Sequence, residues 1–520
     1  MSIGANFFNN LRHPTTALLL VPLACSAFTF LWNPLGFIDL TYGEGTYLGR
    51  AMHVLLAQNP QEGTFYDHPY FGHLFLAGVF WVTGFPNSLH PSAGDDVVNS
   101  VKMLWLVPKL LIGILGVIDT FLIYKISERR YNSRVAFMAA IIFAIMPLIY
   151  LRTIWLESLQ LPFVLSSILF AINAKDSTKN NNNRKNEAMA LISGIFMGLA
   201  IFTKISIFAM IPLIGFLIYK DNKSVKTLGL WFIPVILISL IWPGYALTHG
   251  EFDYWLDGIY WQTHRQEEYA NLNDFAKSLT LPNAIVANFL EMPILVAIGL
   301  AGLVFATVRK DFFLLLWTVP FLVYLFFIGL VRDYHLIPLL PALCISAARL
   351  IEGLSEKITY RKVRNMLPFS IISAIAIFGL INVMVPLATK NNDNAFTEAA
   401  LVVRYLEENK NSNITLISDR VYSWIPKYVF HLGSDYRIPE IGVDWTPKTE
   451  KVLMVVNDGF KSVMRNNNAL GEHLIKIYNE HSKNGTSTVE VGSDKIILPQ
   501  HWSSNFTKDH GLNVIDNEHG

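Results

Sequence analysis

The sequence predicts an all-α polytopic membrane protein of about eleven transmembrane helices. Juxtamembrane helices are expected in its first outer loop, and a small soluble α/β domain at its C-terminal end. Three observations carry this reading. Of 520 residues, 52% are hydrophobic and 16% charged, where a soluble domain usually carries about 25% charged residues. Apolar runs of roughly 17–25 residues, enough to cross a bilayer as helix, recur along the chain. Lysines and arginines gather in every second connecting segment, the asymmetry that sets orientation in a membrane. The net charge of +1 singles out no charged partner, and nothing in the chain suggests nucleic acid. The two cysteines, Cys25 and Cys344, both lie in apolar runs, so a disulfide framework and a cysteine-rich metal site are excluded.

The first span covers about 15–32. Arg12 ahead of it imitates a signal peptide, but no small-residue cleavage site follows and Pro34–Asp39 comes directly after. The segment reads as a retained first helix. The other ten spans fall near 101–126, 134–150, 158–173, 187–203, 205–219, 227–247, 286–307, 312–331, 336–351 and 367–388. One set of connections carries Arg129, Arg130 and Arg134; Lys175, Lys179, Arg184 and Lys185; Lys220, Lys223 and Lys226; Arg309 and Lys310; and Lys357, Arg361, Lys362 and Arg364. These are read as cytoplasmic, with the N-terminus inside. The loop 33–100 and everything after Lys390 are then extracytoplasmic. His68–Phe85 is apolar enough to count as a span, but counting it would flip every later loop. It is expected to be a helix lying along, or dipping into, the outer face.

The membrane domain is drawn at 1–389 and the extracytoplasmic α/β domain at 390–520. In the latter, Asn394–Lys410 has the pattern of an amphipathic helix, Ile414–Ser418 and Lys451–Val456 of short strands, and Phe460–Ser482 of a second helix. This C-terminal domain holds three Asn-x-Ser/Thr sequons, at Asn413, Asn484 and Asn505, all on the expected outer side.

The candidate chemistry starts in the loop 33–100, where Arg50 is the only Lys or Arg. It holds Asp39, Glu44, Asp67, His68 and His73 among many aromatics. Glu44 opens an amphipathic helix and could serve as a base for transfer to a hydroxyl. The plain alternative is a carboxylate favoured by the helix dipole. Asp67-His68-Pro69 could hold a metal or phosphate, or Asp67 could simply cap a helix that starts at Pro69. Arg152 and Glu157 stand where charge is costly unless paired or wet; the plain alternative is that they pair with each other. Lys204 could hold a lipid phosphate or merely snorkel. Tyr260–Glu268, with His264 and Arg265, and Arg332–His335 are weaker sites, because interfacial aromatics are usually an anchoring belt. The residues left over from positive-inside anchoring all fall on one face.

Together these residues resemble the glycosyltransferase C superfamily, over roughly 15–345. Protein O-mannosyltransferases and the bacterial aminoarabinose transferase that modifies lipid A are the nearest groups. Where the family opens its first outer loop with Asp-Glu and a following aromatic, this chain has Gly43-Glu44 and Tyr47. The family's first acid is missing there, so either Glu44 or the upstream Asp39 takes its role. Asp67-His68-Pro69 is similar to the family's acid-basic-proline element, and Glu157 to its second outer acid. Gly198–Lys204 is similar to the segment that contacts the lipid phosphate, His264-Arg265 to a His/Arg element, and Tyr334…Pro341 to the late motif.

The resemblance implies a sugar carried on polyprenyl or dolichyl phosphate and transferred with inversion at the outer face. The acceptor would be a hydroxyl on protein, lipid or glycan. Asp39, Glu44 and Glu157 would be catalytic. Lys204, Arg152 and Arg265 would bind the donor phosphate. Asp67, His68, His264 and His335 would position substrate or hold a divalent metal, a requirement the resemblance leaves open. A transporter is the rival class. It is disfavoured because no internal repeat is evident and the ionisable residues gather at one face instead of the midplane.

Overall fold

A computed structural model describes residues 14–35, 42–61, 66–146, 149–179, 183–222, 224–270, 280–389, 393–418, 420–432, 451–457, 460–461, 469–482, 487–500, 502 and 504–516. Each apolar run becomes helix, as a chain segment must when no water is present to satisfy its amides. Among the described residues, six helical stretches can cross a membrane by length and composition, or up to seven if one bent pair counts as a single span. They are Val97–Arg130, Leu156–Ala174, Asn183–Thr203, Val225–Thr248, Asp333–Ser355 and Arg361–Val385. The bent pair is Pro293–Val308 with Phe312–Ile328, turning through 119°. Its break holds Arg309, Lys310 and Asp311, charges that do not continue into hydrocarbon. Leu18–Leu31, Ser133–Ala144 and Ile205–Lys220 are shorter apolar helices in the remaining expected spans.

Helices approach closely where glycine allows it. A Cβ on Gly302 would collide with the backbone at Ser346, and the Ser346 hydroxyl donates to the Gly299 carbonyl at 2.8 Å. Basic connections meet acidic or polar partners from neighbouring connections. Tyr131 donates to Asp311 at 2.7 Å, Arg130 lies 3.6 Å from the same carboxylate, and Lys226 pairs with Glu187 at 2.8 Å.

The loop helices are Tyr42–Leu55, Phe71–Thr83 and Val97–Leu104. Phe71–Thr83 has 13 residues, short of the roughly 20 needed to cross, and leaves Trp81 and Val82 exposed. It starts after Tyr70, with no side-chain cap. The expectation of a helix opening at Pro69 and capped by Asp67 is therefore corrected: the Asp67 carboxylate is engaged elsewhere.

The C-terminal domain holds a five-stranded sheet in the order β1-β2-β4-β3-β5. The strands are β1 Ile414–Ile417, β2 Lys451–Val456, β3 Ser487–Val491, β4 Asp494–Leu498 and β5 Asn513–Asp516. β1 and β2 are parallel; the other pairings are antiparallel. Alternation along β2 sends Val452, Met454 and Val456 to one side, against Leu474 and Ile477 of the Ala469–Ser482 helix. Leu453 and Val455 face the other side, where the Asp393–Glu408 helix packs. That second core continues without a break into the loop helices through Leu48, Met52, Val97 and Trp105. Trp424 meets Trp105 edge-on at 5.7 Å, and Tyr428 meets His53 at 3.5 Å. Asn413 and Asn505 are exposed, and Asn484 lies outside the described residues.

Candidate active site

The Tyr42–Leu55 helix enters the end of the bundle with Glu44 in its first turn. Glu44 has no exposed surface. Its carboxylate is held by the Lys109 ammonium and accepts the Ile154 N–H at 3.0 Å. Lys109 sits one turn inside the Leu106–Arg130 helix, so the pair ties the loop helix to the bundle. Beside it, Gly43 lies flat against Trp155, and a Cβ there would fall within the indole ring. The other face of Trp155 stacks on Tyr334 at 4.2 Å. Glycine at position 43, where the resembling family has an acid, thus makes room for an aromatic wall.

Across that wall lies a second carboxylate–lysine couple. Glu157 begins the Leu156–Lys179 helix and holds Lys204, which follows the Asn183–Thr203 helix. Gln160 fixes the chain there by donating to the Ala200 and Lys204 carbonyls, each at 2.6 Å. The Lys204 ammonium also sits 5.6 Å from the Tyr334 ring centre. His335 brings Nε2 to 3.9 Å from the same Glu157 oxygen. Its Nδ1 accepts the Arg332 N–H at 2.9 Å, so the neutral ring carries its proton on Nε2, facing Glu157.

A third couple completes the cluster. Arg50 grips Asp67 with two parallel hydrogen bonds of 2.8 and 3.2 Å, a bidentate geometry open to arginine but not lysine. Burial alone would raise the Asp67 carboxyl. The Arg50 guanidinium outweighs it and holds the group well below the usual range. Gln262 braces the Asp67 carbonyl at 2.6 Å. Burial, helped by Arg50, pushes His73 down to about 3, so it is a neutral ring, and it stacks on Tyr47 at 5.8 Å. Tyr47 is central. It meets Trp155 edge-on at 6.2 Å. Burial first, then the charges of Glu157 and Asp67, raise its phenol well above the ordinary value.

Asp67, Glu157, Lys204 and His335 are thus brought together around Tyr47, and Glu44 stands just behind Trp155. Arg152 is committed in part to chain joining. Its Nε and Nη1 donate to the Thr29 and Met146 carbonyls at 3.2 Å each, and its guanidinium lies over Phe30. The Arg152–Glu157 pairing weighed from the sequence gives way to Glu157–Lys204. His264 folds back on its own helix, stacked on Tyr260 at 3.9 Å, with Nδ1 3.0 Å from the Tyr260 carbonyl. His68 is half-buried beside Asp67. Asp39 and the Arg265 side chain lie outside the described residues.

Among the described residues no three His, Cys, Asp or Glu side chains assemble to hold a metal ion. The donor chemistry explains this: Glu44, Asp67 and Glu157 each already face an arginine or lysine. Asp39, a further possible donor, lies outside the described residues. The sequence reading did not single out Arg50, Lys109, Trp155 or Gln160. Lys109 carried a signal, because a lysine inside an apolar run is a functional suspect by default.

Residues 105–244 match the family model described as dolichyl-phosphate-mannose-protein mannosyltransferase. No curated protein sequence matches the chain. Among solved structures, ArnT from Cupriavidus metallidurans in the apo state aligns with a TM-score of 0.59 at 12% identity, covering 96% of this chain and 100% of that one. The same protein bound to undecaprenyl phosphate gives 0.57 at 11% identity, covering 93% and 97%. The archaeal oligosaccharyltransferase AglB from Archaeoglobus fulgidus, in complex with an inhibitory peptide and a dolichol-phosphate, gives 0.56 at 12% identity, covering 97% and 76%. AglB has also been solved with Zn and sulfate. Likeness at this level of identity is one of fold. With the family match, it upholds the resemblance to the glycosyltransferase C superfamily.

Proposed function

We propose that this chain is a membrane glycosyltransferase that moves a sugar from a polyprenyl or dolichyl phosphate to an acceptor hydroxyl at the outer face of a cell membrane. The acceptor belongs to a protein, or in the alternative to a glycolipid or cell-wall polymer. The chain crosses the membrane eleven times with its N-terminus inside, so the loop helices and the 390–520 domain stand outside. One observation carries the reading: the Arg50–Asp67 and Glu157–Lys204 couples converge on Tyr47 at one end of the bundle. The lipid-phosphate donor is supported by the family match and by the fold shared with proteins solved with dolichol-phosphate and undecaprenyl phosphate.

In the reaction the acceptor oxygen attacks the anomeric carbon from the face opposite the phosphate. The new C–O bond forms as the bond to the phosphate oxygen breaks, which inverts the centre. A carboxylate takes the acceptor proton, a role shared between Asp39 and Glu44 as candidates. Lys204 stabilises the charge that grows on the departing phosphate, and Asp67, fixed by Arg50, orients the acceptor. Arg152 and Arg265 add positive charge toward the phosphate. Glu44 serves as the base only if its pairing with Lys109 opens.

The test is transfer of labelled sugar from polyprenyl phosphates by the purified full chain. Loss of the base in Asp39→Asn or Glu44→Gln is expected to cost about 10²–10⁴-fold, and Lys204→Ala about 10²–10³-fold. Wild-type rates in all three folded variants would refute the proposed roles. No transfer by the wild-type protein from any polyprenyl-linked sugar would refute the activity.

A further inference from the structure

We propose that His73 reads the donor sugar: its two ring nitrogens hydrogen-bond hydroxyl groups of the sugar that the lipid phosphate carries. The inference rests on the transferase reading above and adds to it the residue that recognises the sugar.

His73 is 2% exposed, and neither Nδ1 nor Nε2 has a hydrogen-bond partner among the described residues. A neutral imidazole offers one N–H donor and one acceptor. Burying both unpaired carries the full desolvation penalty of each. The packing itself asks only for a flat ring. His73 stacks on Tyr47 at 5.8 Å, 25° from parallel, and a phenylalanine would do the same. Such a pair of orphaned nitrogens marks a place built for a ligand.

The fold sets this ring at the site. A Cβ on Gly72 would meet Leu156 at 2.5 Å and Thr203 at 3.4 Å, the residues directly before Glu157 and Lys204. The short helix Phe71–Thr83 is therefore seated against the Glu157–Lys204 couple, with His73 one residue on. The charges of Arg50 and Asp67 reach the ring as well. The donor sugar is bonded directly to the phosphate assigned to Lys204, so its hydroxyls fall within a sugar ring's width of that couple.

The chemistry selects hydroxyls over phosphate oxygens. Burial and the Arg50 guanidinium keep His73 neutral. An imidazolium would present two donors and suit an anion. The neutral ring presents a donor and an acceptor, as a hydroxyl does. A second orphan agrees. Oε2 of Glu157, whose charge reaches the Tyr47 phenol, is buried without a hydrogen-bond partner among the described residues. It too needs an O–H donor, which ionised phosphate oxygens lack. Two acceptors and one donor in one cluster exceed what the single hydroxyl of an acceptor side chain can satisfy, and match neighbouring hydroxyls on one sugar ring. The rings of Tyr47, Trp155 and Tyr334, in contact with one another, give the apolar surround in which a few polar groups fix a ligand.

Equilibrium binding to the full chain in nanodiscs tests this. The probes are bare polyprenyl phosphate and polyprenyl phosphates carrying mannose, glucose or galactose. Wild type is expected to bind one sugar-linked lipid more tightly than the bare one. His73→Phe, which keeps the stack on Tyr47, is expected to lose about tenfold of that preference and to bind the bare lipid as wild type does. His73→Gln, which keeps a donor and an acceptor, is expected to retain part of the preference. Phenylalanine buries no polar atom, so His73→Phe should melt at or above the wild-type temperature, whereas a structural role for the nitrogens would make it melt lower. Lost preference without lost stability supports the inference. An unchanged preference in His73→Phe overturns it, as does a lower melting temperature, or a wild type that binds bare and sugar-linked lipids equally. In each of these cases Lys204-dependent binding of the bare lipid leaves the transferase reading standing. Wild type that binds none of the probes overturns both.

Discussion

Replacing Lys109 by methionine keeps the volume and removes the charge. Glu44 would then be a carboxylate with no exposed surface that has lost its ammonium and keeps the Ile154 N–H at 3.0 Å. Removing one partner of a buried pair costs about 3–5 kcal/mol. The Ile154 bond survives, so the lower end of that range, about 3 kcal/mol, is expected. The double variant Glu44→Gln with Lys109→Met removes both charges and keeps an acceptor for Ile154. It should lie within about 1–2 kcal/mol of the parent. The second change is thus expected to recover about 1–2 kcal/mol of the loss in Lys109→Met. Unfolding in detergent can be followed with a thiol-reactive dye, since Cys344 is buried and Cys25 half-buried. A Lys109→Met protein within about 1 kcal/mol of the parent, or a double variant no better than the single, would refute the view that the pair anchors the loop helix.

Gly43→Ala is expected to push Trp155 off Tyr334 at a cost of about 1–3 kcal/mol, and to lower sugar transfer more than melting temperature; unchanged transfer would argue against the aromatic wall. Arg50→Lys replaces two parallel bonds to Asp67 with one point charge, and should cost about 1–2 kcal/mol together with most of the transfer activity, read by kinetics and thermal denaturation. Glu398 supplies a pH test in the C-terminal domain. Burial first, then the nearby Asp494, lifts its carboxyl from 4.5 to about 8, and it receives the Tyr422 hydroxyl. Its folded-state value lies above the unfolded one, so the folded domain binds the extra proton. The stabilising contribution is full below about 4.5 and is lost as pH rises toward 8. Thermal melts across that window should show the decline, and Glu398→Gln should flatten it.

Much of the architecture was legible because hydrophobic length and periodicity are local signals. Of the eleven expected spans, six or seven are helices long and apolar enough to cross a membrane among the described residues, and β1, β2 and the Asp393–Glu408 helix fall where alternation and amphipathicity indicated. The strands Ser487–Val491, Asp494–Leu498 and Asn513–Asp516 escaped: they are short, and the last is exposed along its length. In the site, Asp67, Glu157, Lys204 and His335 stood out as charges at the edges of apolar runs. Their partners did not, because pairing is set by packing across the chain. Glu44 meets Lys109 over a separation of 65 residues and Glu157 meets Lys204 over 47. Arg152 looked equivalent to Lys204 in the sequence, yet two backbone carbonyls draw its guanidinium into the bundle.

The core shared by the loop helices and the C-terminal domain bears on how the protein is made. The helix with Glu44 and Arg50 leaves the ribosome early. The tyrosine that packs on its far end, Tyr428 against His53, follows 375 residues later. At about 5–20 residues per second, roughly 20–75 s separate the two. Through that interval Leu48 and Met52 have no Trp424 or Tyr428 to cover them. The site is therefore finished only when nearly the whole chain has emerged, and a nascent chain stalled just after its last apolar helix should carry the whole bundle and still be inactive.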